Sequence, residues 1–132
     1  MIVVLDVSAA IEVLLHKEKG ELFSSRLNEA AWVVAPDLYV SELSNVLWKY
    51  HRAKAVLRPD CVTCVEEGIN LIDDFIEGRE LWKEALGEAI KNSHSVYDMH
   101  YAVLTRRNDA VLLTKDKTLA QLCKKLKIEV CS

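Results

Sequence analysis

An α/β fold, with helices alternating between strands of a mostly parallel sheet, is what the sequence predicts, and three observations carry that reading. Ile2-Val3-Val4-Leu5 and Ala110-Val111-Leu112-Leu113 are short unbroken apolar runs, as expected of strands covered on both faces. Stretches with apolar residues at helical spacing separate such runs, which is how parallel strands are connected. Both runs lead into a carboxylate, Asp6 and Asp116, and open α/β sheets bind ligands at the carboxyl ends of their strands.

The elements follow in order. After the first strand, Ser8 is placed to cap a helix through Ala9 to His16. Gly20 starts another helix, with Leu22, Phe23 and Leu27 inward. Trp32 to Ala35 form a second strand, stopped by Pro36. Asp37 opens a helix to about Ala53 whose core face carries Tyr39, Leu43, Val46, Leu47 and Tyr50. Glu42 lies at the margin of that arc, ~40° from Val46, with Asn45 and Lys49 on the same flank. Arg58-Pro59-Asp60 begins the next helix, with proline near the first turn. Asp73 to Glu77 reads equally as an edge strand or a helix end. Glu80 to Lys91 is an amphipathic helix carrying Leu81, Trp82, Ala85, Leu86, Ala89 and Ile90.

Ser95 and Asp98 have the spacing of a capping box. The helix from Tyr97 to Arg107 is apolar around most of its circumference, so Asp98 at its start is expected to be partly enclosed, with space above Ala102. Ala110 to Thr114 form a further buried strand. A last helix, Lys117 to Leu126, leads to a final strand at Ile128-Glu129-Val130.

With 132 residues, 51% of them hydrophobic and 28% charged, the chain is expected to form a single globular domain over 1–132. A net charge of −3 argues against coating nucleic acid through bulk positive charge. It leaves a nuclease open, because a metal site needs clustered carboxylates and basic residues can lie around it. No apolar run approaches the ~20 residues that span a bilayer, and the N-terminal run is too short for a signal-peptide core. A cytoplasmic protein with reduced cysteines is expected. Cys61 and Cys64 have the spacing of a zinc knuckle or redox pair, but they fall in a helix without a second such pair, and buried thiols are the expectation.

Asp6, Glu42, Asp98 and Asp116 stand at structural junctions. Taken singly, Asp98 and Asp116 are explained as helix caps and Asp6 as a turn residue. Taken together, they belong on one edge of a parallel sheet, where carboxylates repel one another unless protons or a cation neutralise them. Hard oxygen donors without clustered His or Cys suit Mg2+ or Mn2+ rather than zinc. Phosphodiester hydrolysis by metal-activated water is the natural chemistry of such a set.

The segments Leu5-Asp6-Val7-Ser8, Glu42-Leu43-Ser44-Asn45-Val46-Leu47, Tyr97-Asp98-Met99-His100-Tyr101-Ala102 and Leu112-Leu113-Thr114-Lys115-Asp116-Lys117-Thr118-Leu119, in this order and at these separations, resemble a PIN-domain protein of the VapC type. The resemblance spans nearly the whole chain. It implies a three-layer α/β/α sandwich and a Mg2+- or Mn2+-dependent endoribonuclease, commonly the toxin of a toxin–antitoxin pair. By motif, Asp6, Glu42, Asp98 and Asp116 are the catalytic and metal-ligating acids. Ser8 and Thr114 match hydroxyl positions that orient a carboxylate or water, or act as caps, and Asn45 matches a polar position one turn after the glutamate. RNA, with tRNA or rRNA sites as targets, a VapB-like antitoxin inserting an arginine into the acidic cleft, and a second copy of the chain are the implied partners.

Departures from the pattern are Met99, which would narrow the pocket, and Asn108-Asp109 in place of a glycine turn. A nuclease of RNA processing and a noncatalytic interaction module are the alternatives. His16, His51, His94 and His100 share no ligand spacing and are expected in surface or capping roles. Trp32, Trp48 and Trp82 are expected in the core or at an interface. Arg52, Lys54, Arg58, Arg106 and Arg107 suit either phosphate contacts or a solvated face.

Overall fold

The computed structural model describes residues 1–132, with a five-stranded, wholly parallel sheet at its centre. Strand β1 (Ile2–Leu5) is followed by helices α1 (Val7–Leu14) and α2 (Gly20–Glu29) and then by β2 (Trp32–Pro36). Helices α3 (Leu38–Arg52) and α4 (Arg58–Asn70) lead to the edge strand β3 (Asp74–Ile76). The chain then returns through α5 (Gly78–Asn92) and α6 (Val96–Arg107) to β4 (Val111–Leu113), and through α7 (Lys117–Lys125) to β5 (Val130–Cys131).

The spatial order is β3-β2-β1-β4-β5. The first two crossovers run outward from β1 in one direction, and the third jumps back to the other side of β1. Because such crossovers are right-handed, α1 to α4 cover one face and α5 to α7 the other. Contacts between α1 and both α3 and α4, between α5 and α6, and of α6 with β1, β2 and β4 agree with this layering. The reversal puts a topological switch point between β1 and β4, where an open sheet leaves a crevice at its carboxyl edge.

The strand interiors form the core: Val3, Val4, Leu5, Val34, Ala35, Leu112 and Leu113 are fully buried. Apolar burial of this kind is worth roughly 1.5–3 kcal/mol per large side chain. Register pairs Leu5 with Leu113, so the residues after each strand emerge side by side. Helix α6 is buried continuously from Met99 to Thr105, as its apolar circumference implies. Asp109 takes a left-handed conformation (φ 49°) in the turn before β4, a role that short polar side chains tolerate in place of glycine.

Several local expectations change. Asp6, not Ser8, caps α1: its Oδ1 accepts the Ala9 N–H at 2.9 Å, while Ser8 lies inside the first turn. The segment after Asp73 is a true strand, paired to β2 through Phe75 and Ala35. Of the apolar residues on α2 and α5, Leu22, Trp82, Leu86 and Ile90 are exposed, because each helix packs through a narrower stripe centred on Phe23 and on Leu81, Ala85 and Ala89. Trp48 is also exposed, with the Arg52 guanidinium stacked 4.6 Å from its ring centroid. Met99 is wholly buried in the core and does not narrow the cleft.

Candidate functional site

A cavity of about 380 Å³ opens at the switch point, and Asp6, Glu42, Asp98 and Asp116 all line it. Each comes from a different element: Asp6 from the end of β1, Glu42 from the second turn of α3, Asp98 from the first turn of α6, and Asp116 from the turn before α7. A larger hollow of about 720 Å³ lies along α2, but its acids Glu18, Glu21 and Glu29 are exposed and keep their water.

Asp6 is the most enclosed of the four, with 6% of its surface exposed. Besides the Ala9 N–H, its Oδ1 accepts the Ser8 hydroxyl at 2.7 Å. Burial nevertheless pushes its pKa up to about 6; contacts with Thr114, Ala9 and Ser8 oppose the rise and the negative charge of Asp98 adds to it. Ser8 also accepts the Lys115 N–H at 2.9 Å and lies 3.3 Å from the Thr114 hydroxyl, which in turn accepts the Asp116 N–H at 3.1 Å. The two hydroxyls thus stitch the turn after β1 to the turn after β4, and Ser8 orients the Asp6 carboxylate.

Glu42 is held by the Tyr101 hydroxyl, which donates to Oε1 at 2.6 Å. Burial raises the Glu42 pKa, the Tyr101 bond lowers it, and Asp98 again raises it. Asp98 does not complete a capping box with Ser95; its Oδ2 instead lies 2.8 Å from Nε2 of His94, four residues earlier and just ahead of the helix. Asp116 does cap its helix, with Oδ1 accepting the Thr118 and Leu119 N–H groups at 3.0 and 3.1 Å. Oε2 of Glu42, Oδ1 of Asp98 and Oδ2 of Asp116 make no protein hydrogen bond.

None of the four pairs with a lysine or arginine. Glu12, the other acid of the cavity, does: it is 1% exposed and lies 3.2 Å from the Lys115 ammonium. The site therefore divides into four carboxylates with no lysine or arginine partner, one of them bonded to His94, and one carboxylate that has its own lysine. As these side chains stand, no three His, Cys, Asp or Glu groups are drawn close enough to hold an ion. The donor chemistry fits a hard divalent cation: oxygen only, unneutralised, and raised in pKa by burial and mutual repulsion at Asp6 and Glu42.

Asn45 is exposed and stays out of the cavity. Arg106 and Arg107 are committed to Glu84, with Arg106 also 3.5 Å from Glu88. Sequence reasoning missed Glu12, Lys17, Tyr50, His94, Tyr101 and Lys115 as site residues. The signal for Tyr101 was spacing, three residues after Asp98 on the same flank of α6, and for His94 a place four residues before Asp98, in the segment just ahead of the Ser95 N-cap. Glu12 read as the polar position of an amphipathic helix, and nothing in the pattern marked it as buried.

Comparison with known proteins agrees with the fold. Ribonuclease VapC3 of Pyrobaculum aerophilum is 29% identical over 130 residues, covering 92% of this chain and 94% of the relative. The crystal structure of PAE2754 from Pyrobaculum aerophilum superposes with a TM-score of 0.71 at 21% identity, covering 95% of this chain and 88% of its own. VapBC2 from Rickettsia felis, bound to a DNA fragment from its promoter, gives 0.68 at 11% identity, covering 99% and 98%. FitAcB from Neisseria gonorrhoeae gives 0.65 at 13%, covering 98% and 96%. A family model described as PIN domain matches residues 3–125, a span that contains Asp6, Glu42, Asp98 and Asp116: the chain belongs to the PIN domain family.

Proposed function

We propose that this chain is a Mg2+- or Mn2+-dependent endoribonuclease, the toxin of a VapBC-type toxin–antitoxin pair, acting in the cytoplasm as a single domain over 1–132. The observation that carries the reading is four carboxylates on one cavity without a lysine or arginine partner among them. In a folded protein such a set is tolerable when a cation or protons balance it. The 29% identity to a protein named ribonuclease supports RNA as the substrate class. The likeness to VapBC2 supports an antitoxin partner, whose arginine would find planar carboxylates to engage.

In this reading Asp6, Glu42, Asp98 and Asp116 are the metal-site and catalytic residues. A bound divalent ion supplies Lewis-acid polarisation of the phosphodiester and acidifies water. The chain's own part is placement. Ala9 and Ser8 fix Asp6, Tyr101 fixes Glu42, His94 fixes Asp98, and the N-terminus of α7 fixes Asp116. A homodimer belongs to the same reading, and the exposed stripe of Trp82, Leu86 and Ile90 on α5 supports it.

The test is cleavage of tRNA and rRNA by purified, antitoxin-free protein in Mg2+ or Mn2+, repeated with EDTA. Cleavage that needs the ion and disappears in Asp98→Asn is expected. Cleavage that persists in EDTA or in Asp98→Asn would reject the reading. Sedimentation velocity at micromolar concentration checks the dimer.

A further inference from the structure

The cavity that gathers the four acids also carries two lysines, Lys17 and Lys115. A polyanion approaching five carboxylates meets repulsion that one divalent ion relieves only at the phosphate it contacts. Flanking phosphates need positive charge of their own.

Lys115 follows β4 and is fixed at both ends. Its backbone N–H is bound by Ser8, and its ammonium lies 3.2 Å from Oε1 of the buried Glu12. Glu12 also accepts the Lys19 N–H at 3.1 Å. Burial pushes the Glu12 pKa up, but the Lys19 N–H and the Lys115 ammonium outweigh it and hold the carboxyl below its ordinary range. An ammonium has three donors, so Lys115, whose side chain is 44% exposed, keeps donors facing outward.

Lys17 differs in having no carboxylate within ion-pair distance. It reaches from the turn after α1 to α3, where its ammonium donates to the Tyr50 hydroxyl at 2.5 Å and sits 5.0 Å from that ring's centroid. The trio of Glu12, Lys17 and Lys115 carries one net positive charge, in the same cavity as the four remaining carboxylates. Both long side chains are already held in place, which lowers the entropy lost when a ligand binds them.

We propose that Lys17 and Lys115 form a phosphate-binding site for the backbone of single-stranded RNA, with Glu12 and Tyr50 as positioning residues. The site rests on the ribonuclease reading, whose acids it adjoins. Phosphate contacts set register and orientation without reading bases, so the pair fixes where the strand lies relative to the acids.

The experiment measures binding of a short fluorescein-labelled single-stranded RNA to the full chain carrying Asp98→Asn, by anisotropy in Mg2+ across a KCl series. Added to this parent, Lys17→Gln and Lys115→Gln are each expected to weaken binding and to lower the slope of log K against log salt by about 0.7, the value for one phosphate on a single strand. Lys83→Gln, at an exposed position of α5, is expected to leave the slope unchanged. Lys115→Arg, which keeps the charge, is expected to restore it, and Lys17→Gln separates the loss of charge from any effect on Glu12, because it leaves no buried acid unpaired. If the parent binds RNA but Lys17→Gln and Lys115→Gln match Lys83→Gln, the lysine site is overturned and the ribonuclease reading survives. A parent that binds no RNA, with a wild-type chain that cuts none, overturns both.

Discussion

Replacing Asp6 by asparagine is expected to stabilise the metal-free protein at neutral pH while abolishing its function. Asparagine keeps the shape and still accepts the Ala9 N–H as a helix cap, so the perturbation is chiefly the loss of a buried charge. The carboxyl is raised from 3.8 to about 6 in the fold, mainly by burial. That difference corresponds to about 3 kcal/mol, and the linkage sign follows from it. The native state holds its proton more tightly than the unfolded chain does. The associated stability is fully present below about pH 4, drains away as pH rises through about 6, and is absent above. Asp6→Asn has no such loss. Urea denaturation in EDTA from pH 4 to pH 8 is the assay. The advantage of the variant over wild type is expected to be near zero at the acid end, to grow between about pH 4 and 6, and to level off at up to about 3 kcal/mol. A variant less stable than wild type at pH 8, or a difference that does not change with pH, would refute the claim that Asp6 is held charged against its environment.

Three further outcomes follow from the same contacts. His94→Asn removes the bond to Asp98 and is expected to weaken Mn2+ binding, measured by calorimetry, by about 10-fold or more while leaving the fold unchanged. Tyr101→Phe leaves Glu42 without its hydrogen bond, raising its pKa further; a stability loss of roughly 1.5–3 kcal/mol at pH 8 that shrinks on acidification is expected in denaturant titrations. Millimolar Mg2+ or Mn2+ is expected to raise the melting temperature of wild type, and to do so less for Asp6→Asn and Asp98→Asn.

The sheet was readable because its strands are apolar on both faces and its ends are marked by acids. Ile2–Leu5 and Val111–Leu113 could be assigned from sequence, and their pairing in register brought Asp6 and Asp116 together. Asp98 was readable as an acid opening an otherwise buried helix, and Glu42 as one at the margin of a packed face. What escaped was the set of partners around them. Tyr101 looked like core, and it is core at 2% exposure; only its hydroxyl reaches Glu42. Glu12 and Lys115 lie far apart along the chain and meet through tertiary structure, which periodicity cannot register. The extent of the exposed stripe on α5 was not legible for a related reason: an amphipathic helix declares that it has an apolar face, not how wide a band its neighbours cover.

The most direct test of the central claim is anomalous diffraction from crystals of this chain soaked in Mn2+. The account expects a peak in the switch-point cavity within coordination distance of Asp6 and Asp98, with Glu42 or Asp116 reaching it directly or through water. Manganese bound only elsewhere on the surface, with this cavity empty at full soak, would contradict it.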